Sequence, residues 1–250
     1  MEYIEIKFLF MGDLPKLLYQ SVFEGAQLRH RLKRRASIKD ILESLNIPHT
    51  EIGKIEAGGS ELSFSFVPEA NLSLKVYPFT IETIKAIPST IWPEQWSFAK
   101  FLVDINVLKL ARNLRMAGID SVIVPEKISL KDIGSKAEQE NRVVLTRNRE
   151  LLKCATVKFG QLIRSQNHLE QLSEVIERFG LLDRIEPFKR CMVCNGILHH
   201  ADKDEIFHML EPLTKKYYNK FKRCSDCSNI YWRGSHYYKM RQHLDGILNE

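Results

Sequence analysis

The chain lacks any uninterrupted apolar run approaching the roughly 20 residues that a bilayer-spanning helix needs, so no membrane partner is expected. Its opening residues, MEYIEIKF, carry no basic stretch ahead of an apolar core, which argues against a secretory signal. Cysteine is scarce. Five in 250 residues are too few and too clustered for a secreted disulfide framework, and Cys154 stands apart from the rest as an expected buried thiol. No internal repeat and no low-complexity tract is visible. These absences together point to a cytoplasmic globular protein.

What is present is ordinary in bulk, with 44% hydrophobic and 27% charged residues. A net charge of +6 and a pI near 9.0 suit a polyanionic partner such as nucleic acid. The length allows one large domain or several small ones.

The local patterns divide the chain. YIEIKFLF (3–10) reads as a strand, Ser37 as the cap of a helix over Ile38–Leu45, and LSFSF (Leu62–Phe66) and LSLKVYP (Leu72–Pro78) as strands of period two. A β-β-α-β-β order within about 80 residues suits a β-grasp, ubiquitin-like domain over 1–80. Residues 81–97, with two prolines and two tryptophans and no clear periodicity, read as a linker that packs on something. From Phe98 strands and helices alternate: FAKFLVD, NVLKLARNLRMAG closed by Gly118, DSVIV, a polar helix near Ser129–Glu140, RVVLT, a short helix, ATVKF, and a helix from Asn167 to Gly180. That alternation implies an α/β domain with a parallel sheet over 98–184. On its first helix Lys109, Arg112 and Arg115 fall opposite the apolar face, forming a basic row on the expected solvent side.

The remaining stretch, 185–250, is organised by CMVC and CSDC. Each pair spans a tight turn, so Cys191, Cys194, Cys224 and Cys227 can meet one tetrahedral zinc ion, with Gly196 expected to relax the first turn. A four-cysteine shell leaves no open position, which makes the site structural. His199, His200 and His236 are spare candidates. After the second pair, IYWRGSHYYKM interleaves Tyr231, Trp232, Tyr237 and Tyr238 with Arg233, His236 and Lys239, a strip that can stack bases and contact phosphates or serve as the ribbon's own small core. Lys215, Lys216, Lys220, Lys222 and Arg223 add positive charge nearby.

Taken together, FLVDINVLKLARNLRMAGID, RVVLTRNRELLK, HLEQLSEVIERFGL, PFKRCMVCNGIL and IYWRGSHYYKM resemble the mut-seven C-terminal RNase family, and LNIPHTEIGKI with KVYPF resembles the ubiquitin-like module that accompanies it. The resemblance implies a PIN-like, three-layer nuclease fold joined to a zinc ribbon. It also implies hydrolysis of RNA by Mg²⁺ or Mn²⁺ held on carboxylates at the carboxyl end of the parallel sheet. The chemistry of that arrangement is general: a divalent cation lowers the pKa of a bound water and offsets phosphate charge during attack. Asp104, after the first strand, matches the family's first acidic position, although an Asp there can equally cap the helix that follows.

Elsewhere the pattern departs from the family. Ser129 and Leu130 stand where an acidic residue opens the second helix, Leu108 replaces a glycine, and the usual TRDR reads Thr146-Arg147-Asn148-Arg149, putting a neutral Asn148 at a metal-facing position. Asp120, Asp132 and Glu138 can rebuild a cluster if the helix register shifts, or can be solvated residues at element ends. Arg147 and Arg149 extend the basic row in either case. Two functions are therefore expected: a metal-dependent ribonuclease, or a noncatalytic RNA-binding or ribonucleoprotein factor using the fold as a scaffold. A sulfur-carrier or modifier role for the β-grasp domain is excluded, since that chemistry needs a free diglycine terminus and Gly58-Gly59 is internal. A docking module for a protein partner is expected instead. His49, Thr50 and Glu51, which match the family's PHTE, are read as a turn with local hydrogen bonds.

Overall fold

The computed structural model describes residues 3–18, 27–87, 89–92, 99–125 and 127–248. Alternation in IEIKFLF makes β1 (Ile4–Phe10), with Ile6, Phe8 and Phe10 turned into the core. β1 pairs antiparallel with β2 (Gln27–Leu32) and parallel with β5 (Leu72–Pro78). β3 (Ile52–Ala57) and β4 (Ser60–Glu61) complete a five-stranded sheet ordered β2-β1-β5-β3-β4. Across it lies α1 (Ile38–Ser44), capped by the Ser37 hydroxyl and burying Ile38, Ile41 and Leu42. This is the expected β-grasp arrangement with one strand moved. Leu62–Phe66 is not a strand: the Phe66 and Phe64 carbonyls accept the Ile38 and Lys39 N–H groups, so the segment satisfies the open end of α1 instead. The strand it displaced, β3, was hidden because its pairing slips at Gly53, where a Cβ would come within 2.5 Å of the Pro78 carbonyl oxygen.

After β5, Thr80 caps α2 (Ile81–Ala86) inside the stretch expected to be a linker. Phe79 and Trp92 flank that helix and are both buried, with ring centroids 3.9 Å apart, and the Trp92 indole donates to the Ile52 carbonyl at 3.0 Å. Trp92 thus packs into the core, whereas α2 itself buries no residue. Trp96 and the rest of 93–98, including the first residue of the expected α/β domain, lie outside the described residues.

The next unit alternates as expected: β6 (Lys100–Val103), α3 (Leu108–Met116), β7 (Asp120–Ile123), α4 (Leu130–Gln139), β8 (Val143–Thr146), α5 (Arg149–Lys153), β9 (Gly160–Leu162) and α6 (His168–Phe179). All three strand pairs are parallel, in the order β7-β6-β8-β9. β9 begins where ATVKF ends: Gly160 approaches Val144 and Leu152 too closely for a side chain, and that contact sets the pairing. Period two assigns the faces. Phe101, Val103, Val143 and Leu145 pack with α3 and α6, whereas Leu102 and Val144 join Ile133, Ala137, Leu151 and Val157 in a cluster continuous with the β-grasp core.

That shared core is locked by the PHTE segment. The turn exists with one local side-chain bond, His49 to Glu43, and the rest of its side-chain bonds cross the domain boundary. One His49 ring nitrogen meets Glu43 at 2.7 Å and the other meets the Val157 carbonyl at 2.9 Å. Glu51 is fully buried; its Oε1 accepts the Leu162 N–H of edge strand β9 at 2.7 Å, and its Oε2 pairs with Arg178 at 3.0 Å and Arg164 at 3.2 Å. Arg164 in turn pairs with Asp13. A single carboxylate thus stands in for a neighbouring strand and carries the charge of two guanidinium groups.

The C-terminal unit contains β10 (Leu198–Ala201), α7 (Lys203–Ile206), α8 (Pro212–Tyr217), β11 (Phe221–Cys224) and β12 (Ile230–Trp232), with an antiparallel sheet ordered β10-β11-β12. α9 (Ser235–Leu248) returns to the α/β unit, burying Leu244 in the core shared by α3 and α6.

Candidate functional site

In a parallel sheet ordered β7-β6-β8-β9, the connections leaving β6 and β8 run in opposite directions, which opens a crevice beyond their carboxyl ends. Asp104 directly follows β6, and Thr146-Arg147-Asn148 closes β8, so the sequence places these residues at that switch point. The Asp104 N–H donates to the Leu145 carbonyl at 2.9 Å. The residue is 9% exposed, and Oδ2 accepts from Thr146 Oγ1 at 2.5 Å and Asn106 Nδ2 at 2.8 Å. No hydrogen bond to Oδ1 occurs among the described residues. Asp104 stands at the N-cap of the turn over Ile105–Val107 and its carbonyl accepts the Val107 N–H, but its side chain caps no N–H there. Asn106 and Thr146 were not singled out from sequence, although Thr146 ends the strand beside Asp104 and so had to face it.

The other candidate acids do not gather here. Asn148 is the N-cap of α5, its Oδ1 accepting from Glu150 N–H at 3.0 Å and Leu151 N–H at 3.4 Å. Asp132 is exposed in the first turn of α4, where its carboxylate accepts from Ser129 Oγ at 2.6 Å in a reciprocal cap. Glu138 is exposed near the far end of α4. Asp120 heads β7 in register with Lys100, at the end of the sheet opposite Asp104. It binds Arg142 at 2.6 Å and Asn195 at 2.9 Å, with Arg190 at 3.5 Å. Burial acts to raise its pKa, but the hydrogen bonds from Arg142 and Asn195 and the charges of Arg142 and Arg190 outweigh it and hold the carboxyl below its ordinary range.

A divalent cation on a carboxylate cluster, which the family resemblance implies, can be tested against this donor set. Asp104 supplies one anionic oxygen; the Asn148 oxygen is committed to the helix cap, the Asn106 oxygen to Arg147 N–H, and Thr146 Oγ1 to Asp104 and Asn148 N–H. The residues described do not fit a preformed Mg²⁺ or Mn²⁺ site. Among them the four cysteines are the one cluster with metal-ligand geometry.

The basic row is partly withdrawn from solvent. Lys109 and Arg112 are exposed on α3, and Arg147 is exposed beside Asp104. Arg115, expected on the same solvent face, is 3% exposed and donates to the carbonyls of Ser121, Met192 and Val193 at 2.7–3.1 Å, because the first cysteine turn sits on that end of α3. Arg149 donates to the Leu17 and Asn46 carbonyls at 2.7 and 3.0 Å, tying the β-grasp unit to α5. Arg115 is thereby withdrawn from solvent, whereas half-buried Arg149 spends one nitrogen on these carbonyls.

In the ribbon, the four sulfurs lie within 4.8 Å of one another, with Cys191–Cys227 at 3.5 Å and Cys194–Cys224 at 3.3 Å. The left-handed residues of the two turns are Asn195 and Ser228. Gly196 has the separate task of letting the second turn approach, since a Cβ there would lie 2.6 Å from Asp226 and 2.9 Å from the Cys224 sulfur. Tyr231 Oη sits 3.1 Å from the Cys191 sulfur. Burial works against ionising Cys191, but that hydrogen bond and backbone N–H groups lower its pKa to about 6, whereas burial and neighbouring sulfurs push Cys194 up to about 12. Four sulfurs this close offer a closed ligand shell to one metal ion, whose binding would deprotonate them. Of the remaining ribbon candidates, Trp232 is 38% exposed, Arg233 stacks 5.5 Å above the Tyr237 ring, and His236 is exposed at the start of α9.

Comparison with known families matches residues 99–244 to the Mut7-C RNAse domain and residues 3–83 to the Mut7-C ubiquitin domain. No curated protein and no solved structure matches the chain.

Proposed function

This chain belongs to the Mut7-C RNase family, and from that membership we propose that it acts on RNA, retaining it on a nuclease fold in preference to cutting it. The observation that carries this reading is the switch point itself. Between the ends of β6 and β8 Asp104 is the one carboxylate, with exposed Arg147 beside it and Lys109 on the adjoining helix, while Glu170 and Glu174 beyond β9 are engaged by Ser165 and the Arg164 and Ser165 N–H groups, so the donor set is poor in metal ligands. Such a surface attracts phosphates and releases counterions, which gives affinity without sequence reading. The ribbon and the β-grasp unit serve as braces in this account. The cysteines hold one structural zinc ion: tetrahedral Zn–S bonds near 2.3 Å put sulfurs about 3.8 Å apart, close to the spacing found. A thiolate site of this kind suits the reducing cytoplasm.

Binding of single-stranded RNA across a salt series tests the reading. The logarithm of the affinity should fall linearly with the logarithm of salt concentration, and Lys109→Glu with Arg147→Glu should weaken binding and flatten the slope by about one per lost phosphate contact. An RNA affinity that ignores both salt and these substitutions would remove RNA from the account. The ribonuclease alternative keeps one specific support: Asp104 is buried, oriented by two donors, and has an open oxygen at the place where α/β enzymes bind substrate.

A further inference from the structure

The five-stranded sheet of the β-grasp unit ends in two edges, β4 of two residues and β2 of six. β2 pairs with β1 alone, so half of its backbone N–H and C=O groups point away from the sheet, and none of those meets a partner among the described residues. This edge lies on the side of the sheet away from β3, whose preceding turn is engaged by the RNase domain. Period two turns Leu28, His30 and Leu32 toward α1, and Arg29 and Arg31 to the other face. Between the edge and α1 runs a groove of ≈ 280 Å³ whose walls include Leu32, Ala36 and Ile41 and no Phe, Tyr or Trp.

The charge along this edge is of one sign. Residues 27–36 hold Arg29, Arg31, Lys33, Arg34 and Arg35 and no acid. Arg31 stands 3.9 Å from Glu5 and Arg35 2.6 Å from Glu69, both at the surface. Arg29, Lys33 and Arg34 are exposed and have no ion-pair partner among the described residues. Asp40, the acid on the α1 wall of the groove, accepts from Ser37 Oγ at 2.7 Å. Arg29 also lies directly opposite Lys7 of β1, and like charges so placed repel each other. An acidic group beside the pair relieves that repulsion.

We infer that β2 takes up an extended acidic segment of a partner protein as an added strand, with apolar side chains entering the groove over Leu32, Ala36 and Ile41 and the alternate, acidic ones meeting Arg29 and Arg31. An open strand edge offers main-chain hydrogen bonds to any extended chain, and the alternation of side chains across it supplies specificity. The basic run decides which chain. A second copy of β2 would set like charges against each other, so the edge deters self-pairing while leaving an acidic strand free to approach. RNA phosphates answer the charge as well, but they use neither the free N–H and C=O groups of a strand nor an apolar groove without rings for a base to stack on. The inference is independent of RNA binding at the switch point, and it gives the partner expected of the ubiquitin-like unit a surface and a chemistry.

The test uses the full chain and a fluorescein-labelled ten-residue peptide of alternating valine and glutamate, beside a peptide of the same composition with its valines and glutamates in two separate blocks. Fluorescence anisotropy reads affinity, and hydrogen exchange followed by mass spectrometry reads the amides of 27–34. The alternating peptide should bind and slow exchange in β2, whereas the block peptide should bind more weakly and leave β2 unprotected. Arg29→Glu combined with Arg34→Glu should weaken the alternating peptide about ten-fold or more. Both side chains are exposed, and a glutamate opposite Lys7 removes a repulsion, so the variant should melt no lower than the wild type. Failure of the alternating peptide to bind, unchanged affinity in the folded variant, or binding without protection of β2 overturns the assignment. If a ten-nucleotide oligoadenylate displaces the peptide and is itself lost by the variant, with β2 protected by neither, the edge is an RNA surface and the peptide site falls. A chain that binds the peptide through β2 and binds no RNA leaves this inference standing and removes the RNA reading.

Discussion

Replacing Glu51 with alanine is expected to cost about 3–5 kcal/mol of folding stability, the usual loss when one partner of a buried ion pair is removed. The side chain is fully buried, and Arg178, 6% exposed, loses its only ion-pair partner among the described residues when the carboxylate goes. The Leu162 N–H of edge strand β9 loses its acceptor at the same time. Glu51→Gln keeps that acceptor and removes the charge, so its cost should fall between the alanine variant and the wild type. Urea denaturation of the three proteins measures this. A change under about 1 kcal/mol in Glu51→Ala would mean that the two units are held by their shared apolar core alone. The same experiment bears on the expected protein partner of the ubiquitin-like unit, because the PHTE face of that unit is already occupied by its own RNase domain.

Removing zinc should have the largest effect of all. Structural zinc sites release about 10–16 kcal/mol on binding in small peptides, much of it as folding energy, and the ribbon has little core besides Ala201, Ile206, Leu210 and Phe221. Elemental analysis should give one zinc per chain, and Cys227→Ser should lose it. Chelation should melt the ribbon, and the damage should spread, because Arg115 and Asp120 of the α/β unit bond to the Met192–Asn195 turn. Identical melting of metal-free and metal-loaded protein would contradict the assignment.

The sequence carried the features set by local chemistry. Two CxxC pairs located the cysteine cluster and alternating strands and helices located the parallel sheet, whereas Asp104 was singled out through the family resemblance. What escaped was set by tertiary neighbours. Helical periodicity places Arg115 on a polar face but does not say that the ribbon covers that end of α3, so a residue assigned to RNA proved to be a carbonyl clamp. Arg149 and Asp120 were misplaced for the same reason: the partners of Arg149 lie 103 and 132 residues away, and Asp120 is held by Asn195, 75 residues on, as well as by Arg142, 22 residues on. LSFSF shows the converse. Its alternation is that of a strand, yet its carbonyls are taken by the start of α1 and its place in the sheet by a segment whose pattern Gly53 interrupts. Glu51 was legible as a motif residue and illegible as an interdomain bond, since nothing in a sequence marks a carboxylate for burial.

The proposed function requires that RNA reaching the switch point be held and not hydrolysed. The measurement that decides it follows a mixed RNA substrate with the zinc-loaded protein and added Mn²⁺ or Mg²⁺, scoring retention and cleavage together in wild type and Asp104→Asn. The lone carboxylate predicts retained, intact RNA in both proteins, with or without the added cation. Cation-dependent cleavage that disappears in Asp104→Asn would contradict it and establish a working nuclease centre around Asp104.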